Sequence, residues 1–199
     1  MKKFIRNVAT VFSFIIVSVG FSFSAHAASA TYIFDPNHTT VSWHANHFGF
    51  SNPSGKWQAE GSLVFDRDNP KDSKVNVMVQ VAEISTGVKE LDKHLKEKLF
   101  FDVEKFPTAI FVSDKVTMTG NNTAKVEGVL TFHGVSKPIV LNVKLNKEGI
   151  NPINNKQTVG FTATTQFNRS GFDMNSLLPG ISDEVKIDIE AEATLDKNV

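Results

Sequence analysis

Apolar and polar residues alternate with a period of two over most of the chain after about residue 30. The last alternating stretch, EVKIDIEAEATL from Glu184 to Leu195, is the clearest, because an acidic or basic residue stands between successive apolar ones. Successive side chains of a β-strand point to opposite faces, so this period predicts strands. Faces divided this cleanly are typical of antiparallel strands with one side in solvent.

Turn-forming sequences separate the alternating stretches, as in DRDNPKDS, TGNNT, HGVSKP and KEGINPINNK. The predicted strands are Thr39–His47, Lys56–Asp66, Lys74–Val81, Thr108–Met118, Thr123–Phe132, Lys137–Asn146, Gln157–Asn168 and Glu184–Leu195, with a short strand expected before them at Thr31–Phe34. Eight antiparallel strands with no helices to cover a face predict an all-β barrel or sandwich. A closed barrel would also leave no exposed strand edge.

Two inserts interrupt the alternation. In Gly87–Pro107, the apolar residues Val88, Leu91 and Leu95 recur at helical spacing, which predicts a short amphipathic helix followed by an aromatic stretch. Asn168–Asp183 predicts an apolar loop or a helical turn before the last strand. Inserts of this kind at the rim of a barrel commonly cover or gate its mouth.

The predicted inner faces combine large and small apolar residues, such as Trp43 beside Ala45 and Phe161 beside Ala163. An eight-stranded barrel is just wide enough to be filled by its own side chains or to hold one slender ligand. The 17 phenylalanines against one tyrosine favour an apolar guest, because such a wall has few polar groups. A ligand-binding barrel and a solidly packed interaction protein both remain open at this point.

Three of the six histidines, His38, His44 and His47, crowd the segment HTTVSWHANH. Alternation places His47 on the inner face with Trp43 and places His44 on the outer face, while His38 precedes the strand in a turn. A metal or haem site needs ligands that converge on one point, so we expect no metal site here. His47 is expected to be partly buried and hydrogen-bonded near a barrel mouth.

Sequence signatures of enzymes are absent. The chain has no G-x-S-x-G, no H-E-x-x-H and no cysteine nucleophile. Asp92 and His94 stand two residues apart on the predicted helix and therefore do not face each other. We accordingly predict no catalytic residues.

The N-terminus has the pattern of a secretory signal peptide. A basic start with Lys2, Lys3 and Arg6 precedes an apolar run from about Val8 to Phe23 and the small-x-small sequence Ala25-His26-Ala27. We expect cleavage after Ala27, leaving a soluble exported domain of residues 28–199; the alternative is a membrane anchor, since the run is almost long enough to span a bilayer. The chain has no cysteine, which excludes a lipidated cysteine and any disulfide.

Charge argues against nucleic-acid binding. Removal of residues 1–27 takes away three basic residues and leaves 18 basic against 21 acidic ones, a net charge of −3. A protein that binds nucleic acid or an anionic surface through charge alone carries a basic excess. We therefore expect no nucleic-acid partner.

Four motifs resemble the YceI-like family of exported bacterial proteins. They are DPNHTTVSWHANHFGFSNPSGKW (Asp35–Trp57), LDKHLKEKLFFDVEKFP (Leu91–Pro107), GVLTFHGVSKP (Gly128–Pro138) and NRSGFDM (Asn168–Met174). The resemblance implies an eight-stranded antiparallel lipocalin-like β-barrel in the periplasm that is not an enzyme and has no cofactor beyond a non-covalently bound polyisoprenoid or quinone-like lipid. It also implies a link to stress responses, a homodimer, and a membrane or membrane protein as donor or acceptor of the lipid.

The resemblance and the inward-facing apolar set together define the candidate site. The candidate lipid-binding residues are Trp43, His47, Phe48, Trp57, Leu95, Phe101, Phe132, Phe161, Arg169, Phe172 and Leu177. We assign His47 and Arg169 to a polar headgroup, Arg169 because a guanidinium suits a phosphate. The alternative for Arg169 is a surface ion pair. The chain departs from the family where an arginine often precedes the D-x-H-L sequence and Glu90-Leu91 stands instead, which weakens any headgroup contact from that end.

Overall fold

The computed structural model describes residues 29–197, which form ten strands and one α-helix. The strands are β1 (Ala30–Phe34), β2 (Thr40–His47), β3 (Ser54–Gln58), β4 (Glu60–Phe65), β5 (Lys74–Gln80), β6 (Thr108–Met118), β7 (Thr123–Phe132), β8 (Val135–Ile150), β9 (Gln157–Asn168) and β10 (Ile181–Leu195); the helix is α1 (Lys89–Lys96). The predicted signal peptide lies outside the described residues. None of the helices within 29–197 has the length and apolar character needed to cross a bilayer.

The sheet closes on itself. All strand pairings are antiparallel and follow the order β1-β4-β5-β6-β7-β8-β9-β10, and β10 pairs again with β1. β10 pairs with β2 along one part of its length and with β1 along another. β3 pairs with β2, and β4 pairs with β1. β1 and β2 therefore share one of the eight strand positions of the barrel, and β3 and β4 share the next. The predicted eight-stranded antiparallel barrel is therefore confirmed.

The predicted strand Lys56–Asp66 is divided in two at Ala59. The backbone N–H of Ala59 donates to the carbonyl of Thr39 at 3.1 Å, and Thr39 Oγ1 donates to the carbonyl of Glu192 at 3.1 Å. These two hydrogen bonds lie at the break between β3 and β4, where the segment between β1 and β2 also leaves the sheet. The apolar alternation continues through Ala59, so the sequence carries no sign of the break.

Predicted and observed bounds agree for β6, β7 and β9, while β8 and β10 run longer than predicted. β8 continues to Ile150 through KEG, where Glu148 pairs with Val159 and Ile150 with Gln157. Backbone pairing with β9 continues in this extension after the apolar alternation has ended. The alternation ends because both faces of the extension are in contact with solvent. At the other end, β10 begins at Ile181, opposite His47, before a bulge at Val185.

α1 packs against one end of the barrel, which we call the helix end; the opposite end, at the β8–β9 turn, is the hairpin end. Leu95 is buried in the largest core cluster with Trp43 and Trp57, and Leu91 packs against the same cluster. The assignment of Val88 to the apolar helix face is wrong. Val88 precedes the helix and is exposed, because the helix begins at Lys89.

Gly61 of β4 gives a sharp test of the sheet geometry. Its φ is +144°, and an added Cβ would lie 2.1 Å from the carbonyl oxygen of Asn76 on β5. Gly61→Ala should therefore lower the free energy of unfolding by at least about 2 kcal/mol in urea titrations, since both backbone strain and a main-chain collision oppose the methyl group.

Gly160→Ala on β9 is the matched control, because the nearest atoms to its Cβ lie 3.9 Å and 4.0 Å away. We expect its unfolding free energy to stay within about 1 kcal/mol of the parent. Equal midpoints for the two variants would contradict the β4–β5 pairing described above.

Candidate functional site

A cavity of about 660 Å³ extends through the interior of the barrel. β6 lines it from Ala109, at the helix end, to Met118, at the hairpin end. This stretch corresponds to roughly 30 Å along the strand, or roughly 23 Å along the barrel axis at a usual tilt of about 40°. Solidly packed interiors have few voids larger than a water molecule. The barrel interior is therefore a space of ligand size.

The cavity wall is built by alternate residues of the strands. On β10 the lining residues are Val185, Ile187, Ile189 and Ala191. The charged residues between them are exposed on the outer face. The same division applies on β5, where Val75, Val77 and Val79 face the cavity. Period-two alternation thus becomes an apolar inner wall and a charged outer surface once the sheet closes.

Aromatic rings line the helix end of the cavity. The indole N–H of Trp57 donates to the carbonyl of Val81 at 3.0 Å, and its ring lies 5.4 Å from that of Phe101, centroid to centroid. The indole of Trp43 lies over Gly55, where an added Cβ would come within 2.7 Å of Nε1. Trp43 Nε1 is buried without a hydrogen-bond partner among the residues that the structure describes.

The helix contributes directly to the cavity. Leu91, His94 and Leu95 of α1 and Phe100 and Phe101 after it line the space. The His94 ring packs edge-on against Phe100 with centroids 4.8 Å apart, and its Nδ1 lies 3.1 Å from Glu97. α1 and the following aromatic residues therefore cover part of the helix end.

The hairpin end of the cavity also has polar lining residues, and sequence reasoning missed these. Arg67, Lys74, Asn121 and Asn122 line that end. Arg67 Nε lies 3.7 Å from a carboxylate oxygen of Glu148. Arg67 lies within the DRDNPKDS turn, Lys74 directly follows it, and the two asparagines belong to TGNNT. These sequences indicate turns but do not indicate which strand ends the turns meet. No signal in the sequence could have found them.

Nine of the eleven predicted lipid-binding residues line the cavity. They are Trp43, His47, Trp57, Leu95, Phe101, Phe132, Phe161, Arg169 and Leu177. Lining places a side chain where a guest would lie. The contact with a lipid itself stays a prediction for each of them.

Phe172 and Phe48, the other two predicted lipid-binding residues, do not line the cavity. Phe172 is 1% exposed and packs behind the wall, with its ring 5.1 Å from that of Phe167 and 6.0 Å from that of Phe132. Phe48 lies outside the opening at the helix end, half-exposed, edge-on to His47. A 3₁₀ turn at Arg169–Phe172 buries the first, and a left-handed turn after β2 places the second on the rim.

The histidines of HTTVSWHANH divide between the two faces as predicted. His47 lines the cavity, whereas Nε2 of His44 lies 3.2 Å from Asp188 on the outer face, and Nδ1 of His38 lies 2.8 Å from Asp35. The expectation that His47 is partly buried is wrong, because β2 ends there and the side chain is exposed at the opening. Within residues 29–197, no three His, Asp or Glu side chains are grouped so as to hold a metal ion.

Arg169 is the main correction to the predicted site. It is 6% exposed, so the surface ion pair is wrong. Its guanidinium donates to backbone carbonyls: Nε to Ser182 at 2.9 Å, Nη1 to Met174 at 2.7 Å, and Nη2 to Ser176 at 2.8 Å and Ile181 at 3.0 Å. Burial lowers the pKa of Arg169. Four hydrogen bonds occupy most of the five guanidinium donors, so the geometry supports a role in shaping the Asn168–Asp183 segment instead of headgroup binding.

Comparison with known proteins agrees with the motifs. The YceI-like domain family matches residues 32–193, which confirms the resemblance. A UPF0312 protein of Pseudomonas savastanoi pv. phaseolicola is 37% identical over 177 residues, 87% of this chain and 91% of that protein.

Solved structures show the same fold. BcnA of Burkholderia cenocepacia superposes with a TM-score of 0.73 at 23% identity, covering 81% of this chain and 99% of that one. A polyisoprenoid binding domain from Saccharophagus degradans superposes with a TM-score of 0.64 at 9% identity, covering 85% and 100%.

The role of Arg169 can be tested by Arg169→Lys, which keeps the charge but loses the planar fork. An ammonium group cannot satisfy carbonyls in four directions, and each buried carbonyl left without a donor costs about 1–3 kcal/mol. We expect the unfolding free energy to fall by about 2–4 kcal/mol in urea titrations.

Arg67→Lys is the control, since Arg67 also lines the cavity but is more than half exposed. Its exposed ion pair should contribute less than about 1 kcal/mol. Similar losses in the two variants would contradict the structural role of the Arg169 hydrogen bonds.

Proposed function

Because the chain belongs to the YceI-like family, we propose that it is a carrier that holds a long apolar chain, of the polyisoprenoid or isoprenoid-quinone class, inside its barrel. The observation that carries the proposal is the apolar cavity that β6 lines over its whole length, from Ala109 to Met118. The fold shared with a polyisoprenoid binding domain is a second support.

The shape of the cavity suits a slender guest. A barrel of eight positions is narrow, and its wall is apolar along β5, β6 and β10. Burial of each methylene contributes about 0.8 kcal/mol, so a chain of many carbons binds tightly without specific contacts. The same physics predicts weak discrimination between chain lengths, since one methylene changes the affinity only a few-fold.

The barrel binds its guest without transforming it. Of the histidines at the cavity, His94 is engaged with Glu97, and His47 is exposed at the opening. A general acid and base would have to converge on one point of the guest. Apart from the hydroxyl groups of Ser113 and Thr165, the wall between the two ends is aliphatic and aromatic, and it has no acidic or basic side chain among the described residues.

The carrier acts outside the cytoplasm. The predicted signal peptide directs the chain to the periplasm, where an apolar lipid needs a protein to cross water between membranes. A fold without cysteine needs no disulfide chemistry there. The link to stress responses follows from the family resemblance.

The first experiment is extraction of the purified protein with organic solvent, followed by mass spectrometry of the extract. The proposal predicts a prenyl or quinone species in a molar ratio near one. An empty extract, together with a flat calorimetric titration against added prenyl lipids, would overturn it and favour an interaction protein that acts through its surface.

Phe161→Asp tests the wall itself. Phe161 lies on the inner face of β9 and lines the cavity, so a carboxylate there would be buried among apolar groups, and lipid occupancy should fall at least about tenfold. Thr164→Asp is the matched control, because Thr164 belongs to the same strand and is exposed. Circular dichroism confirms folding of both variants.

Ala163→Leu is a second test of the cavity wall if Phe161→Asp fails to fold. Ala163 faces the cavity, and leucine would narrow the space while leaving the wall apolar. Long prenyl chains should bind more weakly than in the parent, with shorter chains less affected. Unchanged binding in every folded variant would contradict the wall assignment.

A further inference from the structure

Among the large apolar side chains exposed at the helix end of the barrel, four lie on loops that hydrogen bonds join to one another. They are Phe48 (50% exposed), Phe50 (90%), Leu99 (52%) and Leu177 (50%), which we call the apolar rim. Single exposed apolar residues are ordinary on protein surfaces, but a contiguous group marks a contact site.

The members of the apolar rim come from three loops that are tied together. The backbone N–H of Phe48 donates to the carbonyl of Gly180 at 2.6 Å. The carbonyl of Leu177 accepts from the N–H of Ile181 at 2.9 Å. Ser176 Oγ donates to the carbonyl of Leu99, which joins the loop after α1 to the same group. The apolar rim is therefore one surface.

This surface borders the opening of the cavity. Leu177 itself lines the cavity, and so does His47, which packs edge-on against Phe48 with ring centroids 4.8 Å apart. A guest that enters or leaves at the helix end passes the apolar rim.

Two rim residues have a strained backbone conformation. Phe48 has a φ of 52° and Leu177 a φ of 59°, a left-handed conformation that bulky residues rarely adopt. The Phe48 ring covers Gly180, where an added Cβ would lie 2.2 Å from its Cε1 atom. Strained positions of this kind persist where the surrounding structure enforces them, and they cluster at functional sites.

We propose that the apolar rim inserts into the surface of a phospholipid bilayer, so that the cavity opening at the helix end faces the membrane while the lipid chain is loaded or released. The proposal rests on the proposed function, because a long prenyl chain is stored in bilayers and is nearly insoluble in water. It names the surface that meets the membrane and the end of the barrel through which the chain moves.

Charge and area favour a bilayer over a second copy of the chain. Lys98 directly precedes Leu99, and Lys96 precedes it by three residues, with Glu97 between the two lysines. Lysines beside apolar side chains suit the phosphates of a membrane interface. The exposed parts of the four side chains amount to on the order of 400–500 Å². A stable protein interface needs about 800 Å² from each partner. Side chains that enter a bilayer interface need no such minimum.

The test is co-sedimentation with large vesicles of phosphatidylethanolamine and phosphatidylglycerol in a 3:1 ratio. The double variant Phe50→Ser, Leu99→Ser should partition to vesicles at least about tenfold less than the parent. Neither residue lines the cavity. The control is Ile153→Ser, which removes an equally exposed apolar side chain (90%) from the turn at the hairpin end and should change partition less than twofold.

A second measurement separates contact with the membrane from binding of the lipid in the cavity. Affinity for an isoprenoid quinone delivered from ethanol should be equal in the parent and the double variant, while the rate of quinone uptake from vesicles should fall about tenfold in the double variant. The parent and all variants are compared as the exported form that begins at Ala28, so the apolar N-terminal segment does not contribute to partition.

Partition of the double variant equal to that of the parent would overturn the proposal. Light scattering that shows a dimer lost on Phe50→Ser, Leu99→Ser would overturn it in favour of a second copy of the chain. Failure of every variant, the parent included, to bind quinone from ethanol would instead overturn the proposed function, and the vesicle partition would still decide whether the apolar rim meets a membrane.

Discussion

Closure of the sheet at β10 is the constraint on which the rest of the structure depends. β10 pairs with β9 on one side and with β2 and β1 in succession on the other, so no long edge remains along it. A closed antiparallel sheet of eight positions has a narrow interior of nearly constant width. Once the sheet is closed, every second residue must face that interior, and the composition of those residues decides whether it is filled or open.

The interior is open because small residues share the wall with large ones. Ala45, Ala109 and Ala163 face the cavity among aromatic neighbours. Polar residues line both ends. His47, His94 and Arg169 lie among aromatic and aliphatic groups at the helix end, and Arg67 and Lys74 line the hairpin end. A long amphiphile would therefore meet polar groups at the ends of the barrel and an apolar wall over most of its length.

Arg169 connects the barrel to its opening. Its guanidinium binds carbonyls at Met174, Ser176, Ile181 and Ser182, so a single buried cation organises the loop that carries Leu177 and Gly180. Asp183 fixes the start of the same segment by accepting hydrogen bonds from the backbone N–H and the hydroxyl of Ser170, each at 2.8 Å. A loop held by this many buried hydrogen bonds keeps its exposed apolar residues in place. The same loop therefore has buried hydrogen bonds on its inside and exposed apolar side chains on its outside.

The sequence by itself determined the strands, their faces and the fold class, because alternation with a period of two is a local property that closure of the sheet turns into inside and outside. It also identified most of the cavity wall, since inward-facing residues such as Trp57 and Phe161 follow from that alternation. It could not locate the break at Ala59, the burial of Phe172 or the hydrogen bonds of Arg169. The first two depend on groups distant in sequence, as in the contacts of Ala59 with Thr39 and of Phe172 with Phe132. The hydrogen bonds of Arg169 depend on how the following segment folds back over it, and no residue pattern in that segment indicates this. The polar residues of the hairpin end and the apolar rim likewise come together only in the tertiary structure. Each group is assembled from separate turns, and the closed barrel sets the relative positions of those turns. No residue pattern within a turn indicates which other turns will lie beside it.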